Sequence, residues 1–154
     1  MRLIDRLLDG IIDTPLFEMA HSRADVKRKA LSHVDTLVEH LVKLLIWPHN
    51  PAANVWGKTV RKTVINTRKT KQVGTKEPLD IGTLRMLWVT GPIGDNPEEL
   101  LACVKDTIEA ILADSNLVVP DDLDYAAIGG KLKAALEKAV ADVHKKPEVP
   151  DGQQ

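Results

Sequence analysis

Aromatic side chains are scarce in this chain: one Phe, one Tyr and three Trp make up 3% of 154 residues. Leu, Val, Ile and Ala must therefore fill the interior, and that mixture suits helix-on-helix packing better than a β-sandwich. Cysteine is scarcer still. Cys103 alone excludes an intrachain disulfide and any Cys-rich zinc site. No uninterrupted apolar run approaches the roughly 20 residues of a membrane span, so no membrane partner is expected. The opening MRLIDRLLDGII is interrupted by Asp5 and Asp9 and precedes no small-residue cleavage site, so it does not read as a secretory signal. Together with the lone thiol, this predicts a cytoplasmic location. The content that remains, 44% hydrophobic and 28% charged, excludes a wholly disordered chain. At this length about two-thirds of the extended surface can be buried, enough for one core without metals or staples.

Acidic residues are missing from one long stretch. Residues 41–76 carry eight basic groups (Lys43, Lys58, Arg61, Lys62, Arg68, Lys69, Lys71 and Lys76) and no Asp or Glu, whereas residues 77–154 have a net charge of −8. The whole chain stands at −1. Two physical readings follow. The halves neutralise each other inside one fold or across a dimer, or the basic stretch is a patch for an anionic partner. The near-neutral total favours the first, because it leaves little long-range attraction for a polyanion.

Periodicity outlines the elements. Leu3, Leu7, Leu8, Ile11 and Ile12 predict a short docking helix over 2–12, ended by Thr14-Pro15. Val26, Ala30, Val34, Leu37, Val38, Leu41 and Leu45 form one stripe, predicting a single helix over 23–46 with Ser22 as N-cap. Pro48 and Pro51 end it. A second helix over 55–70, capped by Asn54, buries Trp56, Val60, Val64 and Thr67, and the short connection predicts an antiparallel hairpin. Trp47 and Trp56 bracket that hairpin, either sealing its open end or anchoring a dimer. Residues 71–96 are broken by glycine and proline; 83–89 fit either two helical turns or a strand, and the helix is preferred because a lone strand lacks a partner. Asn96, Pro97 and Glu99 form a capping box for a helix over 97–114. A last helix covers 122–145, with Asp121 or Asp122 as cap; Gly129-Gly130 either delays its start or allows close packing. The expectation is an all-α, compact bundle of four to five main helices around an antiparallel hairpin, a single domain over 1–146 and a frayed tail over 147–154.

Catalytic constellations are not assembled. His33 and His40 sit seven residues apart, about 10 Å along a helix axis, too far to share a metal unaided. Cys103 lies among apolar neighbours with no histidine nearby in sequence. Asp121, Asp122 and Asp124 resemble the start of a calcium loop, without its glycine or closing Glu. Gly129-Gly130-Lys131 lacks the rest of a phosphate loop, and Thr90–Asp95 reads as a turn. No catalytic residue, metal or cofactor is therefore expected, which points away from an enzyme. The basic helix is the one binding motif: Lys58, Arg61, Lys62, Arg68, Lys69 and Lys71 recur at one- and two-turn steps. Thr59, Thr63, Asn66 and Thr67 are available to add hydrogen bonds to phosphates.

The run His40-Leu-Val-Lys-Leu-Leu-Ile-Trp-Pro-His-Asn-Pro51, followed by Trp56 and then Thr59-Val60, resembles a bacterial helical family, the domain of unknown function numbered twenty-nine. In that family a His-Leu-Leu-Lys run ends a helix. A short proline turn follows, then a Trp opening the next helix and an arginine further along, here matched to Arg68. The similarity spans residues 22–70. It implies an all-helical fold and no established activity, and it marks His40, Lys43, Pro51 and Trp56 as positions to inspect. The residues thus predict a non-enzymatic helical interaction or structural domain with a protein partner or a second copy of itself, a homodimer. The alternative is a nucleic-acid or other anion-binding module that uses the basic helix over 58–71.

Overall fold

A computed structural model describes residues 18–71 and 77–145, with side chains from Asp25 onward. The docking helix expected over 2–12 and the frayed tail over 147–154 lie outside the described residues. All regular structure among them is helical: α1 (Glu18–Ser32), α2 (Val34–Ile46), α3 (Ala53–Lys69), α4 (Ile81–Arg85), a π-helical turn (Met86–Thr90), α5 (Gly91–Ile93), α6 (Pro97–Ala113) and α7 (Tyr125–His144). The helix preferred over 83–89 is thereby found, and the turn expected at Thr90–Asp95 is helical as far as Ile93.

α2 is the central element. Val34, Leu37, Val38, Leu41, Val42 and Ile46 are all buried, and they face α3, α6 and α7. The stripe widens toward the C-terminal end because neighbours stand on several sides there. α2 and α3 form the expected antiparallel hairpin. Lys43, near the end of one, lies 5.6 Å over the ring of Trp56, near the start of the other. Trp56 is buried, and Trp47 donates its indole N–H to the Val118 carbonyl at 2.8 Å, holding the 114–124 connection against the hairpin's end. Both rings therefore sit at the turn end of the hairpin, between the end of α2 and the start of α3, and not at its open end.

The single helix expected over 23–46 is two. It begins by Glu18, so Ser22 is no N-cap, and it breaks at His33. Ser32 Oγ donates back to the Lys29 carbonyl at 2.7 Å and His33 N–H reaches the Ala30 carbonyl at 3.3 Å, a tightened turn at the end of α1. The fully buried Trp88 of the π-helical turn supplies the other half of the junction, donating its indole N–H to the same Ala30 carbonyl at 2.9 Å.

The remaining ends follow local chemistry. α3 starts two residues before the expected position, without a side-chain cap; Asn50 Oδ1 instead accepts from Ala52 N–H at 2.8 Å. Asp80 caps α4, accepting from Thr83 N–H at 3.0 Å and from its hydroxyl. These bonds hold the Asp80 carboxyl below the usual range. Asn96 caps α6 as expected. Asp124, rather than Asp121 or Asp122, caps α7 by accepting from Ala127 N–H at 3.1 Å. At the far end of α7, His144 lies between two carbonyls. Its Nδ1 is 3.2 Å from Val140 O and its Nε2 faces Leu79 O, which fastens the segment leading into α4 onto α7.

α7 runs straight through Gly129-Gly130, and the two glycines differ. A Cβ on Gly129 would lie 3.0 Å from Leu100 Cγ, so this glycine lets α6 approach closely; a Cβ on Gly130 would meet nothing within 4 Å. Gly130→Ala is therefore expected to stabilise the fold by about 0.5–1 kcal/mol, while Gly129→Ala gains nothing or loses. Urea unfolding of the two variants side by side checks this.

Candidate interaction face on α3 and α7

The buried side of α3 is built from Trp56, Thr63, Val64 and Thr67. Two buried threonines need partners for their hydroxyls, and the helix provides them. Thr63 Oγ1 donates to the Thr59 carbonyl and Thr67 Oγ1 to the Thr63 carbonyl, each at 2.9 Å. Thr59 and Thr70 bond backward in the same way, at 3.1 and 3.0 Å. This corrects the expectation that Thr59, Thr63 and Thr67 serve phosphates. Their hydroxyl protons are engaged, two of them in the core. Asn66 stays exposed.

Burying that side turns the cations outward. Lys58, Arg61, Lys62, Lys69 and Lys71 are exposed, and among the described residues none of them forms an ion pair. The expected neutralisation of the basic stretch by acidic side chains of the second half is not found there. Among the described residues the ion pairs are Arg28 with Asp25, Arg85 with Glu137, Lys138 with Asp142 and, from the basic stretch itself, Lys43 with Glu39 of the first half. The Arg85–Glu137 pair uses two guanidinium nitrogens at 2.8 and 2.9 Å, and it holds the Glu137 carboxyl below its ordinary range.

Arg68 departs from its group. It is half-buried, its Nε donates to the Val143 carbonyl at 3.3 Å, and its Nη2 donates to the Asp142 carbonyl. It thus caps the last turn of α7, where unpaired carbonyls and the negative end of the helix dipole favour a cation. Arg68 joins the C-terminal ends of α3 and α7 and is a structural arginine.

Because α3 and α7 end together, they run in the same direction and leave an open trough of about 450 Å³ between them. Leu41, Val60, Val64, Ala135 and Ala139 make its floor, and Ile65, 41% exposed, stands on its wall. The banks carry Arg61 from α3, Lys138 from α7 and Lys145 immediately after its last residue. Sequence reasoning confined to residues 41–76 missed the α7 lysines. They lie seven residues apart, as does Lys131, so they share one face of the helix. Asp142, the single carboxylate of the lining, is 3.0 Å from Lys138.

The other inspected positions serve the fold. His40 donates from Nδ1 to the Thr36 carbonyl at 2.8 Å, Lys43 pairs with Glu39 at 3.0 Å, and Pro51 sits exposed in the turn. Burial pushes the His33 imidazole toward its neutral form and pushes the Cys103 thiol up, away from the nucleophilic thiolate. No cluster of three or more metal-ligating side chains occurs among the described residues, and no helix there is long and apolar enough to cross a membrane. Compared with protein-family models, with curated proteins and with solved structures, the chain matches none.

Proposed function

We propose that this chain is a non-enzymatic interaction domain and that the face formed by α3 and α7 receives an anionic macromolecular partner. One observation carries the reading. Lys58, Arg61, Lys62, Lys69 and Lys71 project from one region of the surface without an ion pair among the described residues, on a helix that has no carboxylate of its own. Unpaired cations grouped this closely repel one another, and a partner's negative charge relieves that repulsion. The resemblance of residues 22–70 to the helical family numbered twenty-nine is compatible with this reading and brings no activity with it. A cytoplasmic setting agrees with the free thiol at Cys103.

Nucleic acid is the second reading. Lys58, Lys62 and Lys69 lie on one stripe about 16 Å long, a spacing that can follow a phosphate backbone. Both readings require the α3 cations. The test is fluorescence anisotropy of labelled polyglutamate and of labelled single- and double-stranded DNA, titrated with the full chain over a range of salt. The combined Lys58→Glu, Arg61→Glu, Lys62→Glu and Lys69→Glu variant, all at exposed positions, is expected to weaken polyanion binding by about tenfold or more and to flatten its salt dependence. An unchanged affinity would remove α3 as the working face. Preference for DNA over polyglutamate at equal salt would put nucleic acid first.

A further inference from the structure

Resting on the reading of α3 and α7 as the binding face, we propose that the trough between them takes an amphipathic α-helix of a partner protein, apolar along one side and acidic along both edges of that side. The charges alone suit any polyanion, but the floor does not. Leu41, Val60, Val64, Ala135 and Ala139 offer an apolar bed with no aromatic ring on which a base could stack. Phosphates would meet the banks and leave the bed wet.

The form of the trough selects the occupant further. Two helices packed side by side leave a groove along their contact, and a third helix packs into such a groove by ridges and grooves. Ala135 and Ala139 are one turn apart, and their small side chains keep the channel deep enough for a leucine-sized anchor on the incoming helix. From Ala135 to Lys145 the channel runs about 15 Å, the length of about three helical turns. Arg61 on one bank and Lys145 on the other lie where Asp or Glu would flank an apolar stripe recurring at i, i+3, i+4 and i+7, while Lys138 beside Lys145 is already held by Asp142 at 3.0 Å and adds less. Exposed Ile65 extends the bed beyond the floor. A small amphiphile is a poorer fit, since ligand pockets enclose about 70–90% of their occupant and this trough is open along its length.

The test uses the full chain and two synthetic peptides of equal composition. One arranges Leu and Glu at the helical spacing; the other is scrambled. Anisotropy gives affinity, and amide chemical shifts of Ala135 and Ala139 report occupancy. The helical peptide is expected to bind about tenfold more tightly than the scrambled one, and to shift those amides. Ile65→Lys, at an exposed wall position, separates bed from banks: it is expected to weaken the helical peptide about fivefold while leaving polyglutamate and DNA binding unchanged or stronger. Equal binding of the two peptides, with polyanion binding still dependent on the α3 cations, would overturn the helix and leave the interaction face standing. Polyanion binding indifferent to those cations would instead overturn the face itself. Sedimentation that reveals a dimer dissociated by Ile65→Lys would give the trough to a second copy of this chain and would also overturn the proposal.

Discussion

Replacing Trp88 with alanine is expected to cost about 3–5 kcal/mol, a large share of the roughly 5–15 kcal/mol that holds a typical domain folded. At this chain length the melting temperature should fall by about 10 °C or more. Two effects combine. Trp88 has no exposed surface, and its neighbours in the core, Leu84 and Leu87, are likewise fully buried, so the space left by the ring has no ready filler. The indole N–H also reaches the Ala30 carbonyl at the α1–α2 junction. Without it that carbonyl keeps only the 3.3 Å contact from His33 N–H. Trp88→Phe separates the two, since most of the ring remains and the donor is lost. It should cost about 1–3 kcal/mol, and amide exchange should rise first around residues 30–34. Equal protection of that junction in Trp88→Phe and the parent chain would show that the indole bond does not hold the break.

Trp88 also explains where the sequence was readable and where it was not. The helix over 97–113 was legible because all its signals are local: Asn96, Pro97 and Glu99 at fixed offsets, then Leu100, Val104, Ile108 and Ile111 at helical spacing. The hairpin was legible for the same reason, through the prolines between two amphipathic runs. The break at His33 left no such mark. Residues 26–46 contain neither glycine nor proline, their apolar stripe continues across the junction, and half of what fixes the break comes from a residue more than fifty positions away. Non-local packing overrode a continuous local pattern. The candidate face divides similarly. The exposed cations of α3 could be read from a stretch without acids, but the opposite bank was hidden inside a segment with a net charge of −8. Within that segment the acids concentrate between Asp95 and Asp124, while Lys131, Lys138 and Lys145 recur every seven residues afterwards. Dividing the segment there would have exposed the α7 bank. Arg68 had a basic residue's exposure in the sequence pattern, and only the meeting of two helix ends makes it a cap.

Gly94→Ala is the second large effect expected, at about 2–4 kcal/mol, and it arises from two sources. Gly94 follows α5 with φ 73° and ψ −165°, a conformation essentially reserved for glycine, and its N–H donates to the Thr90 carbonyl at 2.9 Å. A Cβ there would lie 2.5 Å from Glu99 Cβ and 2.6 Å from its carboxylate carbon. Glu99 cannot yield freely, because its Oε1 accepts from Asn96 Nδ2 at 2.8 Å and from Asp95 N–H at 3.3 Å while Asn96 Oδ1 accepts from Glu99 N–H at 2.9 Å. The added methyl thus opposes both the backbone of residue 94 and the reciprocal cap of α6. A double-mutant cycle with Glu99→Ala divides the cost. Glu99→Ala alone loses its part of the cap and removes the carboxylate carbon and oxygen at 2.6 Å but keeps the Cβ at 2.5 Å, so Gly94→Ala on that background should still cost the backbone strain and the Cβ contact and be relieved only of the contact with the carboxylate. The double variant is then less destabilised than the two single losses summed. Strictly additive losses in urea unfolding would mean that the α5–α6 connection accommodates a methyl at 94 without engaging the Glu99 carboxylate.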